Sequence, residues 1–147
     1  MPNWSSNDLY VWGHQVMLDN FKRFINSMKE KTIKSKGELT ELSADWFIPR
    51  PEFEDNNWFE WNSMNWGTKW DFSDSYREDH ADSVFFGFET AWNPPIPVIK
   101  KMSEMFKWLN FSIHYFDHCS ERKGIVKFSN GILRKEEKSK YYGTRGA

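Results

Sequence analysis

The residues with the greatest potential for chemistry lie in an acidic, tryptophan-rich stretch near the middle of the chain. Between Glu52 and Asp82, nine carboxylates are accompanied by only two basic residues, Lys69 and Arg77. Tryptophan supplies a large contact area at low entropic cost, so tryptophans among carboxylates are typical of a protein-binding surface. The members of this predicted partner-binding set are Glu54, Asp55, Trp58, Glu60, Trp61, Asp74, Glu78 and Asp79.

The same tryptophans also have a structural interpretation. Trp46, Trp58 and Trp61 could lock an inserted arm onto the core rather than anchor a partner, and the residues alone leave both interpretations open. The carboxylates have a further use, because an acidic surface can imitate a DNA backbone and occupy the nucleic-acid channel of another protein. That strategy requires charge but no catalytic group.

A second group of candidates surrounds two histidines. His114 and His118 are four residues apart, beside Asp117 and Cys119, and would share one face of an extended strand. An open metal site usually needs three well-placed ligands, and only His80 could approach from elsewhere. The chain contains no phosphate loop, no Gly-x-Gly-x-x-Gly motif and no nucleophile elbow. We therefore predict no catalytic residue, no metal and no cofactor.

Binding of single-stranded nucleic acid is the alternative function. The net charge of −1 gives no global reason to expect it, but eleven basic residues and five acidic ones follow from Lys100 onward. A sheet that displays aromatic rings beside such a basic region can stack bases. Against this, aromatic residues on the predicted strands are more typical of a core, and the RNA-binding consensus is absent. Those aromatics are Phe86, Phe88, Phe111 and Tyr115.

Length and composition predict a single cytoplasmic domain. The 147 residues suffice for one core, while 9 Trp, 13 Phe and 5 Tyr exceed what that core needs, so some rings are expected near the surface. The single cysteine, Cys119, excludes an internal disulfide and suits a reducing compartment. The sequence has no secretory signal pattern and no run of 18 apolar residues, so we expect no membrane association.

Apolar periodicity predicts the elements that position these residues. Residues 9–12 favour a strand, and a helix follows with an apolar stripe at three- and four-residue spacing. The stripe consists of Met17, Phe21, Phe24, Ile25 and Met28. Residues 29–38 are lysine-rich and predict a loop with a frayed helix end.

The middle of the chain predicts an inserted arm at about residues 39–66, ending in a short, mostly buried aromatic helix capped by Asn56 or Asn57. Gly67 can end that helix in the left-handed conformation. A strand at residues 68–72, an acidic turn at 73–82 and a strand at 83–92 would then form a hairpin. Alternation on the second strand places Phe86, Phe88 and Thr90 on one face and Phe85, Gly87 and Glu89 on the other.

The remaining elements follow from a junction at Asn93. Asn93 is a good N-cap, and Pro94-Pro95 fit the first turn of a second helix. Strands are predicted at residues 111–116 and 124–128. Residues 134–147 are highly charged and predict a mobile tail, so we place the folded domain at residues 1–133.

The predicted order of elements is that of an α+β protein with a ferredoxin-like β-α-β-β-α-β sandwich, an inserted aromatic arm and an extra C-terminal strand. The chain resembles the Api92-like or YubB-like proteins of phages and plasmids, which contain such a domain. The resemblance rests on residues 1–4, 47–49, 65–71, 89–97 and 102–106. The fold name describes topology only, because one cysteine cannot ligate an iron-sulfur cluster.

The resemblance implies a mobile-element origin and brings no established activity with it. We therefore predict a cytoplasmic, non-catalytic accessory protein that binds and modulates a protein of the bacterial host or of its defences. A structural framework is expected from Trp66, Gly67, Trp70, Trp92 and Pro94.

Overall fold

The computed structural model describes residues 3–52, 57–118 and 121–140. Its elements are β1 (Trp4–Gly13), α1 (Gln15–Lys36), a 3-10 turn (Ala44–Trp46), α2 (Trp58–Asn65), β2 (Ser73–Asp79), β3 (Ser83–Ala91), α3 (Ile96–Met105), β4 (Leu109–Asp117), β5 (Arg122–Ser129) and β6 (Ile132–Lys140). The strands form one antiparallel sheet in the order β2-β3-β1-β4-β5-β6. The first four strands and helices α1 and α3 have the ferredoxin-like arrangement, which confirms the predicted fold.

One face of the sheet packs against α1 and α3. Phe21 of α1 is fully buried, and its ring centroid lies 6.3 Å from that of Phe86 and 5.6 Å from that of Phe111. Successive strand residues point to opposite faces, so the alternation in the sequence correctly divides these strands into core and non-core positions. We call the face that points away from the helices the open face. It carries Tyr10 and Trp12, which are both exposed.

Helix α1 is longer than the sequence predicts. The prediction of a loop at residues 29–38 is wrong, because the helix continues through most of that stretch. Lys29 forms an ion pair with Glu41, and Trp46 Nε1 donates to Thr32 Oγ1 over 2.9 Å. The arm thus packs along the last turns of the helix. These contacts stabilise a polar stretch that has little apolar surface of its own to bury.

The acidic segment after the arm is a strand. A strand at residues 68–72 and a turn at 73–82 were both wrong predictions, since β2 occupies most of the predicted turn. Thr68 instead is buried at the end of the arm, where its Oγ1 donates to the Ala91 carbonyl over 2.8 Å. Strand β2 is polar because it lies at the sheet edge, where pairing with β3 requires backbone groups and little apolar surface.

The C-terminal region also differs from the prediction. Two strands extend the sheet, so the single extra strand, the domain boundary at residue 133 and the mobile tail from residue 134 are wrong up to Lys140. Every side chain of β6 is exposed, yet its backbone pairs with β5 along its length. Residues 141–147 lie outside the described residues.

The prediction for the end of α2 is confirmed, whereas the prediction for the start of α3 is wrong. Gly67 follows α2 with φ 78°, as predicted, and a Cβ there would lie 2.8 Å from Pro97 Cδ. The cap predicted at Asn93 is wrong, because Pro95 occupies the N-cap of α3. The Asn93 carbonyl instead accepts a hydrogen bond from Thr90 Oγ1 at 2.7 Å, in the turn that precedes the helix.

Asp71 joins the arm to the core. Its carboxylate accepts hydrogen bonds from Ser43 Oγ and from the Ala44 N–H, both at 2.6 Å, and from the Phe72 N–H at 2.7 Å. Burial raises the pKa of Asp71, and the hydrogen bonds oppose that rise. A single side chain thus holds the start of the 3-10 turn beside the entry to β2.

Candidate interaction surface

The predicted partner-binding set is divided among several parts of the molecule. Glu54 and Asp55 lie outside the described residues. On α2, Trp61 is half-buried against the core, with its ring centroid 5.5 Å from that of Trp66 in an edge-on contact. Trp58 is also half-buried and lies edge-on to Phe59 at 6.1 Å. The packing of Trp61 is that expected of a tryptophan that locks the arm onto the core, whereas the contact of Trp58 is with its chain neighbour.

The acids of β2 do not form a single cluster. Asp79 is held by Arg77 through two hydrogen bonds of 2.7 and 3.0 Å, and Arg77 also donates to Asn26 of α1. Glu78 points to the opposite face and lies across from Phe85 on β3. Asp74 is exposed within a bulge and has a positive φ of 50°. Of the three, Glu78 is on the open face.

Sequence reasoning missed a continuous line of rings across the open face. Tyr76, Phe85, Tyr10 and His114 follow one another on β2, β3, β1 and β4, and we call them the aromatic row. Successive ring centroids lie 5.5, 4.9 and 5.4 Å apart. The alternation on β3 had placed Phe85 away from the core, but the strand order was needed to bring the other rings beside it.

A glycine makes the aromatic row possible. Gly87 of β3 pairs with Tyr76, and a Cβ at this position would collide with the tyrosine ring. The ring therefore lies directly on the backbone of the neighbouring strand, beside Phe85. Glycine within a strand commonly marks such a close approach.

Charge changes sign along the open face. Asp8, Glu78 and Glu89 lie on β1, β2 and β3 among the rings. The cations come from the added strands, with Lys123 and Lys127 on β5 and Lys135 paired opposite Lys127 on β6. The open face thus has an acidic half, formed by β1–β3, and a predominantly basic half, formed by β5 and β6, in which Glu137 forms an ion pair with Lys135.

His114 lies at the border between the two halves. Burial lowers the pKa of His114, with Asp8 acting in the opposite direction and Lys127 adding to the decrease. The lowered pKa favours the neutral form of the ring at pH 7. Beside it is a shallow groove of about 680 Å³, lined by Tyr10, Trp12, Ser112, His114, Lys127 and Asp82.

The two neighbouring histidines, His114 in β4 and His118 directly after that strand, contact different partners. His114 lies edge-on to Tyr10, whereas His118 Nε2 is 2.9 Å from Ser6 Oγ, which itself donates to Glu89. Across residues 3–52, 57–118 and 121–140, no group of three or more His, Cys, Asp or Glu side chains is arranged to hold a metal. Cys119 lies outside those ranges.

In the described parts of the chain, no helix has both the length and the apolarity needed to cross a membrane. Helix α1 is the longest helix, but charged side chains occur throughout it.

Comparison with known proteins agrees with this architecture. A family model described as the ferredoxin-like domain in Api92-like protein matches residues 65–141. The chain is also similar to the crystal structure of a protein Api92 from Yersinia pseudotuberculosis, with a TM-score of 0.71 and 9% identity, over 98% of this chain and 99% of that one. At that identity the likeness shows the fold alone. No curated protein matches the chain. Since the family model covers more than half of the sequence, the chain belongs to the Api92-like proteins with a ferredoxin-like domain.

Proposed function

We propose that the protein is a non-catalytic accessory protein that binds a basic surface of another protein through the acidic half of its open face. The observation that carries the proposal is the exposure of large rings there: Tyr76 is 52%, Tyr10 42% and Trp12 37% exposed. Tyrosine and tryptophan are enriched among the residues that dominate binding energy. Their setting among carboxylates favours a cationic partner.

The proposed surface combines aromatic rings and carboxylates, as the sequence suggests, but its main aromatic contacts come from the sheet and not from α2. Trp58 and Trp61 are half-buried, and Trp61 packs against the core. Tyr76 and Tyr10 are more exposed, and Glu78 belongs to both the predicted set and the acidic half. A rigid sheet also holds these rings in place before binding, which reduces the entropy lost on association.

The partner we propose is a cytoplasmic protein of the bacterial host or of its defence systems. The Api92-like family and its expected phage or plasmid origin motivate this choice, and fold membership by itself assigns no function. A nucleic-acid-binding protein is a suitable target, because its basic channel complements a surface of carboxylates. Blocking such a channel requires no catalytic group in this chain.

A specific observation favours a second candidate, binding of single-stranded nucleic acid. Lys123, Lys127 and Lys135 lie on the same face as the aromatic row, and Lys127 reaches the groove beside Tyr10. Bases could stack on the rings while phosphates contact these lysines. The acids around the row oppose this alternative, since they would repel the phosphates.

Two charge reversals separate the candidates. The tagged protein is used to capture partners from bacterial lysate, with and without nuclease, and the experiment is repeated with Glu78→Lys and with Lys127→Glu/Lys135→Glu. We expect a stoichiometric protein that survives nuclease and is lost with Glu78→Lys. Glu30→Lys on the outer side of α1 is the matched control, because it makes the same charge change far from the open face.

Recovery of nucleic acid alone, lost with the double lysine reversal and retained with Glu78→Lys, would replace the first candidate with the second. Capture of a protein that is indifferent to both Glu78→Lys and Tyr10→Ala would contradict the proposed surface.

A further inference from the structure

A lysine ammonium lies against three aromatic rings at the end of the sheet where the arm meets β3. The three rings belong to Phe59, Trp70 and Trp92, and we call them the ring cage. The Nζ atom of Lys69 lies 4.8 Å from the ring centroid of Trp70, 5.1 Å from that of Trp92 and 5.5 Å from that of Phe59. All three distances fall within the range of a cation–π interaction.

The ring cage is open to solvent. Trp70 is 37% and Trp92 41% exposed. Trp92 also has a positive φ of 75°, an unfavourable conformation for a bulky side chain, and its N–H donates to the Asn3 carbonyl over 2.6 Å. The fold thus presents this large ring at the surface despite an energetic cost.

Cation–π contacts with the three rings hold the Lys69 ammonium in place. Within residues 3–52, 57–118 and 121–140, no carboxylate forms an ion pair with Lys69. A cation held by aromatic faces at an exposed site is bound weakly. Competition from Lys69 should therefore weaken the binding of another cation by only about two- to fivefold. Lysine has a flexible four-carbon stem that permits such a movement.

The cage does not depend on Lys69 for its shape. Phe59 contacts Trp92 edge-on at 5.8 Å and Trp58 at 6.1 Å, while Trp70 packs on Trp4 at 5.9 Å. Each of the three rings therefore has an aromatic contact that does not involve the lysine. Aromatic cages of this kind recognise alkylated ammonium groups in other proteins.

We propose that the ring cage is a recognition site for an ammonium group of a partner protein, a lysine or methylated lysine, and that Lys69 occupies it in the free protein. The chemistry of the occupant is given by the group already bound there. Lys69 is then a built-in competitor, which withdraws when the partner's cation enters. The inference concerns a different site from the aromatic row and is tested with a small cation, so either proposal can fail alone.

The test removes the competitor and leaves the cage. Tetramethylammonium chloride is titrated into wild type, Lys69→Ala and Lys69→Ala/Trp92→Ala at constant ionic strength, with tryptophan fluorescence as the readout. We expect saturable binding to Lys69→Ala, about two- to fivefold weaker binding to wild type, and no binding to the double variant. The neutral analogue tert-butanol is the control and should not saturate.

A second measurement uses the unmodified protein, in case Lys69→Ala does not fold. The ε-methylene protons of Lys69 should resonate upfield because of the surrounding rings, and addition of tetramethylammonium should move them toward the position of a free lysine. Failure of folded Lys69→Ala to bind, equal binding of tert-butanol, or no movement of the wild-type resonances would overturn the proposal.

Discussion

The tryptophan-rich arm and the aromatic row on the open face use similar side chains for different purposes. In the arm, Trp66 is buried and its Nε1 donates to the Ile48 carbonyl over 2.8 Å, while Trp61 packs against it. In the row, Tyr76 and Tyr10 lie on the sheet with much of each ring in solvent. A high local density of aromatic residues in a sequence therefore indicates packing as readily as binding. Exposure and mutual spacing distinguish the two.

The largest expected effect is on the arm. Trp66→Ala removes a buried ring and its hydrogen bond, so we expect the free energy of unfolding to fall by about 3–5 kcal/mol. Trp12→Ala on the open face makes the same chemical change at an exposed site and should cost no more than about 1 kcal/mol. Urea denaturation followed by circular dichroism measures both. Equal losses of unfolding free energy in the two variants would contradict the distinction between a structural arm and an exposed open face.

The next largest effect on stability is expected at Asp71, where it should also depend on pH. Asp71→Asn replaces one of the carboxylate oxygens, which accept hydrogen bonds from Ser43 and Ala44, with an NH₂ donor. We therefore expect the free energy of unfolding to fall by about 1–3 kcal/mol. The folded-state pKa of Asp71 is raised, so its contribution to stability is complete below the unfolded pKa of about 3.9 and is lost as the pH rises through the folded value. The difference in free energy of unfolding between wild type and Asp71→Asn should therefore become smaller as the pH rises from the unfolded pKa through the folded pKa.

Denaturation midpoints collected from pH 4 upward provide the measurement. Asp74→Asn, the same substitution at an exposed position of β2, is the matched control. A difference that becomes larger with pH would mean that the hydrogen bonds, rather than burial, govern the ionisation of Asp71.

A smaller effect should appear in the aromatic row itself. Gly87→Ala places a Cβ against the Tyr76 ring, so we expect a loss of about 1–2 kcal/mol and weaker partner binding as the ring is displaced. In a Tyr76→Ala background the same substitution should be nearly neutral. A double-mutant cycle by urea denaturation measures this coupling. Additive effects would show that the ring and the glycine are not in contact in solution.

The smallest expected effect on stability accompanies a clear effect on binding. Glu78→Lys should change the free energy of unfolding by no more than about 0.5 kcal/mol, because the side chain is exposed. It should nevertheless slow association with a captured basic partner, and the difference should shrink at high salt. Association rates at two salt concentrations test this, with Glu30→Lys as the comparison. Unchanged rates would remove the acidic half from the interface.

The fold was accessible from the sequence wherever local pattern and tertiary role agree. The apolar stripe of α1 and the alternation of Phe85 and Phe86 on β3 predicted elements and faces correctly, because a helix or central strand in a two-layer fold must bury one side. The prediction failed at β2 and β6. Edge strands satisfy their backbone by pairing and can remain polar, so their sequences resemble turns and tails.

The candidate site was less accessible. Glu78 and the use of aromatic anchors among carboxylates were anticipated, and both remain proposals. The aromatic row was missed because Tyr76, Phe85, Tyr10 and His114 belong to four separate strands. Their contact follows from the strand order, which places β1 between β3 and β4 and so brings residues more than a hundred positions apart to within ring contact.

Local periodicity and short motifs were enough to predict the ferredoxin-like order of elements, the Api92-like resemblance and the faces of the central strands. The folded sheet was needed to show which aromatic rings pack and which remain in solvent, how acidic and basic strands divide the open face, and that Lys69 lies against three rings. Exposure and charge separation depend on neighbours in space, and a sheet selects those neighbours through long-range pairing.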